Sequence, residues 1–71
     1  MNGMQKIVLT ATVGRFVQTR WRELYQRKPE KIEMAIIGEG VVQCEIHEHS
    51  ECYEAVVILA PKGKHQFFLE S

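Results

Sequence analysis

The sequence has no Lys or Arg between residues 32 and 61 and only two cysteines in 71 residues. It also lacks any apolar run near the roughly 18 residues that a membrane-spanning helix needs. Each shortage excludes something. Without a long apolar run the chain reads as soluble, with no membrane partner. The start, Met1 to Met4, has neither a basic n-region nor a small-residue cleavage site, and Thr10 and Thr12 break the apolar run from Ile7 to Val13. No signal peptide is expected, and the location is read as cytoplasmic. In that reducing compartment Cys44 and Cys52 are expected as thiols rather than as a disulfide. There is no internal repeat, linker or low-complexity tract. Nor is there a nucleophile elbow, a phosphate loop or an acidic metal motif, and Gly38-x-Gly40 is too short for a nucleotide fingerprint. Catalysis has no motif to stand on, so the chain is read as a non-enzyme.

What is present fits one small domain spanning residues 1–71. A chain of this size buries only roughly 60% of its unfolded surface, and small domains often recover stability from a partner subunit. A homo-oligomer is the expectation. The formal net charge is zero, but the two signs are separated along the chain. Lys6, Arg15, Arg20, Arg22, Arg27, Lys28 and Lys31 crowd the first part against only Glu23 and Glu30. Glu33, Glu39, Glu45, Glu48, Glu51 and Glu54 fill the middle, and Lys62, Lys64 and Glu70 follow. Such a layout suits self-association through opposite faces, or an electrostatic partner for one half. The plainer alternative is two solvated surfaces.

Hydrophobic period gives the elements. Gln5 to Thr12 is rich in β-branched residues, with Ile7, Leu9 and Ala11 on one parity, and is read as an opening strand. From Val13 the step becomes four: Val13, Val17, Trp21 and Tyr25 recur, with Phe16 and Leu24 on the same side. This predicts an amphipathic helix from about residue 13 to about 27, with Thr12 as N-cap and Pro29 ending it. Lys31 to Ile37 is read as a strand, Gly38-Glu39-Gly40 as a hairpin connection, and Val41 to Ile46 as a half-buried strand. Glu54 to Ala60 is apolar on both parities and reads as an inner strand. Pro61-Lys62-Gly63 suits a type I turn followed by a left-handed glycine, returning through His65 to Leu69. The fold expected is α+β: one helix packed on an antiparallel-rich sheet of four to five strands, in the order β-α-β-β-β with an extra C-terminal strand in reserve. With the helix on one face only, the Val56 and Ile58 parity would face outward and need cover from another subunit.

Two residue groups are candidates for chemistry. Cys44, His47, His49 and Cys52 are symmetric about Glu48; a hairpin centred there would set Cys44 opposite Cys52 with the histidines beside the tip. Two thiolates and two imidazoles would suit tetrahedral zinc, although the spacing matches no standard zinc pair and no cofactor is the leading expectation. The competing reading is a small buried Cys44 and an exposed histidine turn. An enzyme site with Cys44 or Cys52 as nucleophile would need a pocket that a chain this short offers little room for. On the helix, Arg15 and Arg22 lie on the outer face, with Arg20 and Arg27 at its margin. They are the candidate partner-binding residues, and nucleic acid is the alternative partner, although the pI near 6.8 is low for it. The function expected is a small binding or regulatory protein acting through protein–protein contacts.

Overall fold

The computed structural model describes residues 3–70; of the Met1 to Met4 start, Met1 and Asn2 lie outside the described residues, as does Ser71. Helix α1 spans Gly3–Tyr25, followed by β1 (Lys31–Gly38), β2 (Val41–Glu48), β3 (Glu51–Ile58), a short 3-10 turn at Pro61–Gly63, and β4 (Gln66–Glu70). The strands form one antiparallel meander in the order β1-β2-β3-β4, with the helix packed on one face. The α+β class, the helix-on-sheet layering and the reserved C-terminal strand are all present. No helix among the described residues is long and apolar enough to cross a membrane.

The opening strand is not. Gln5–Thr12 is helical, so α1 starts ten residues before Val13 and the order is helix, then four strands. Leu9 stands one four-residue step before Val13, so the helical stripe runs back through a segment whose alternation covers only three positions. Once the later turns are packed, each added residue gains a backbone hydrogen bond for little further ordering. The threonines are accommodated: Thr10 Oγ1 donates to the Lys6 and Ile7 carbonyls at 3.0 and 3.1 Å, and Thr12 Oγ1 to the Val8 carbonyl at 2.9 Å. Thr12 is thus an interior residue and not an N-cap.

The core is made where two periods meet. Val13, Val17 and Trp21 form the helix stripe; Val42, Cys44 and Ile46 of β2 and Ala55 and Val57 of β3 receive it, all fully buried. Each valine and isoleucine of this set contributes roughly 1.5–3 kcal/mol by leaving water. Phe16, Ile32, Met34, Ile36, Tyr53, Phe67 and Leu69 close the rim. Leu24, expected on the buried stripe, is half exposed. The first turns of the helix also leave Met4, Ile7 and Val8 largely in solvent.

The connections are tight. Gly40, at φ 70°, takes the left-handed conformation in the β1–β2 turn. At the β3–β4 connection Lys62 (φ 61°) and Gly63 (φ 71°) are both left-handed, so the type I turn expected at Pro61 is not formed. His65 Nδ1 accepts from the Ala60 N–H at 3.0 Å, and its ring stands edge-on to Phe16, which pins this loop to the helix.

Gly14 now lies in the helix interior, where an added Cβ would meet only the flexible end of Met34 at 3.6 Å. Gly14→Ala is expected to stabilise by roughly 0.5–1 kcal/mol, and Ile46→Ala to destabilise by roughly 2–5 kcal/mol. Urea denaturation followed by circular dichroism checks both.

Candidate functional site

Sheet alternation gives each strand one face toward α1 and one open face. On β2 the helix side holds Val42, Cys44, Ile46 and also Glu48. A carboxylate sealed from water must be paired. Glu48 is only 4% exposed and accepts from the Trp21 indole N–H at 3.0 Å and from the Arg27 guanidinium at 2.6 and 2.5 Å. The Arg27 and Trp21 hydrogen bonds hold its carboxyl down at about 2, well below the usual carboxylate range, against the opposing effect of burial. This contact joins the end of the helix to the β2–β3 turn. Arg27, expected on the partner-binding margin, is committed to it, while its guanidinium also lies over Tyr25. Sequence reasoning missed Glu48; its parity with Cys44 and Ile46 was the signal.

The other arginines are placed as surface groups. Arg15 and Arg22 are exposed, the latter in a shallow groove with Thr19, Glu23 and Gln26. Arg20 lies 3.9 Å from Glu23 and over the Phe16 ring. The structure does not gather the four into one free basic surface.

The Cys/His turn is built differently from its expected form. The β2–β3 hairpin turns through His49 and Ser50, not about Glu48, so His47 faces Cys52 and Cys44 faces Ala55. Relative to a Cys44–Cys52 pairing the register moves by an odd number of residues, which sends the two cysteines to opposite faces of the sheet. Cys44 is buried beneath the helix with its thiol pushed up to about 11 by desolvation. His49, left-handed at φ 56°, is exposed, with Nδ1 3.9 Å from Glu30. The set Cys44, His47, His49 and Cys52 is therefore not brought together.

What the open face does assemble is a graded surface. Its first row, near the β2–β3 turn, is Lys31, His47 and Cys52. The next crosses all four strands as Glu33, Glu45, Glu54 and Glu70. Like charges directly opposite one another are destabilising, so this row calls for positive charge nearby. Lys31 Nζ meets Glu33 at 2.8 Å, and His47 Nε2 lies 3.7 Å from Glu45 and 3.9 Å from Glu33. The third row, Ala35, Gln43, Val56 and Phe68, and the fourth, Val41, Ile58 and Gln66 with Ile37 at the adjoining bulge, are mainly apolar. Phe68, Ile37 and Ile58 are exposed there. Burial first, then Glu45, Glu54 and Glu33, push the Cys52 thiol up.

No protein-family model, curated protein or solved structure matches the chain, so the functional reading rests on these residues.

Because Glu48 titrates below its ordinary value in the folded state, its contribution is complete above about 4.5 and fades as the pH falls toward about 2. Glu48→Gln is expected to lower stability at neutral pH and to flatten the loss across that acid window. Trp21→Phe, which removes one donor, should cost roughly 1–3 kcal/mol. Denaturation midpoints at a series of pH values test both.

Proposed function

We propose that this chain is a non-enzymatic protein-binding module that works as a self-associating unit, docking a second copy on the open face of its sheet. The observation that carries the reading is the apolar half of that face, where Ile37, Val41, Val56, Ile58 and Phe68 lie together with no helix over them. Contiguous exposed apolar surface on a small domain marks an interaction site.

Charge selects a second copy and its orientation. A two-fold axis along the strands would set one acidic row against the other. A two-fold axis across the strands, passing through the apolar rows, joins those rows and carries the two acidic rows to opposite ends. Each row then approaches the end of its partner that bears the β3–β4 connection, with Lys62 and Lys64, and the β1–β2 turn, with the single Glu39. A chain of zero formal net charge with its signs separated in this way is complementary to itself.

Light scattering coupled to size exclusion is expected to give a dimer. Phe68→Glu, placed on the exposed face, should convert it to a monomer with an unchanged circular dichroism spectrum. A wild-type monomer across the micromolar range would overturn the reading.

A further inference from the structure

At the end of the open face away from the apolar rows, three different kinds of metal ligand converge. Glu45, His47 and Cys52 each present a ligand atom, and these atoms all lie within 4.8 Å of one another. They come from two neighbouring strands: His47 and Cys52 are cross-strand partners, and Glu45 precedes His47 on the same side of β2. Zinc ligands bound at roughly 2.0–2.3 Å in a tetrahedron sit about 3.3–3.8 Å apart, so closure needs a movement of about 1 Å or less by side chains on a fixed sheet. His47 Nε2 supplies a second, independent sign. This atom is closed off from solvent, while the His47 side chain as a whole is 33% exposed, and it has no hydrogen-bond partner among the described residues, although carboxylates stand on two sides of it at 3.7 and 3.9 Å. A buried nitrogen with no partner is costly, and a metal cation between them would satisfy it and the carboxylates together.

We propose that Glu45, His47 and Cys52 bind a borderline divalent transition-metal ion, zinc being the ion their donor set fits, with Glu33 or water at the fourth position. A thiolate and an imidazole select zinc over calcium or magnesium, which take oxygen donors. Glu33 reaches the site from β1, 3.9 Å from His47 Nε2, and would leave Lys31 to join it. Binding is a ligand exchange: the ion sheds water, the Cys52 thiol gives its proton to solvent, and no electron moves. The positive ion also adds to Lys31 in offsetting the repulsion along the glutamate row. The sequence spacing hides the site because its ligands are set by cross-strand register and not by a local motif.

The site shares no residue with the apolar rows, so loss of the dimer in Phe68→Glu and loss of metal binding in Cys52→Ser are separate readouts. Metal-free protein is titrated with zinc by calorimetry and with cobalt(II) by absorption. One ion per chain is expected, with a thiolate-to-cobalt charge-transfer band that Cys52→Ser abolishes. His47→Gln should weaken zinc binding by roughly 10–100-fold or more. His49→Gln and Cys44→Ala, which alter groups outside the cluster, should leave band and stoichiometry intact, with circular dichroism confirming each fold. Absence of saturable binding, survival of the band in Cys52→Ser, or its loss in His49→Gln would overturn the proposal.

Discussion

The carboxylate of Glu48 is the constraint on which the rest of the structure depends. It sits on the helix side of β2, where every other side chain is apolar, and an unpaired charge there would be prohibitive. Trp21 from the helix and Arg27 from just beyond it supply the donors. That requirement fixes three things at once: how far β2 extends, where the hairpin turns, and how the end of the helix is seated. A pairing displaced by one residue would present Glu48 to solvent and strand both donors. The register is thus defended by a polar contact at one end and by the Val42, Cys44 and Ile46 packing along the strand. With that register set, His47 and Cys52 are opposed on the outer face and Cys44 is committed to the core.

The outer face is amphipathic along its strands and not between its two sides. Near the β2–β3 turn it is ionic, with Lys31, His47 and Cys52 beside the glutamate row; near the other end it is apolar. A sheet face meant only for solvent has no need of Phe68, Ile58 and Ile37 in one area. A face meant only for packing would not align Glu33, Glu45, Glu54 and Glu70. On the proposed reading, the division into two ends would let one surface serve two kinds of contact without burying the carboxylates.

The strands were legible because a period of two is hard to counterfeit over eight residues: Ile32, Met34 and Ile36, then Val42, Cys44 and Ile46, mark their inner faces directly. The helix was legible from Val13 onward, where bulky residues recur at four-residue steps. Its first part was not. Ile7, Leu9 and Ala11 alternate over too short a stretch to distinguish a strand from a helix, and local β propensity there yields to continuation of an already packed helix. The candidate site was half legible. The sequence singles out His47 and Cys52, but the carboxylates beside them on the open face, Glu45 and Glu33, are set by register, the same register that brings Glu48 to Trp21 and Arg27. A symmetric run of cysteines and histidines suggested a turn about Glu48; the physical demand for a partnered inward carboxylate places the turn at His49 and Ser50 instead.

The two contacts inferred for the open face do not compete for residues. Successive rows on one face of a sheet are about 6.6 Å apart, twice the rise per residue, so the Glu45, His47 and Cys52 cluster stands clear of the Val41, Ile58 and Phe68 patch. They are nevertheless coupled through charge. A divalent ion in the cluster reduces the negative potential of the row, and that same row is the part of one copy that would approach Lys62 and Lys64 of another. Metal occupancy and self-association would then oppose each other electrostatically while leaving the apolar contact untouched. The opposition weakens with added salt, because exposed charges are screened and apolar burial is not.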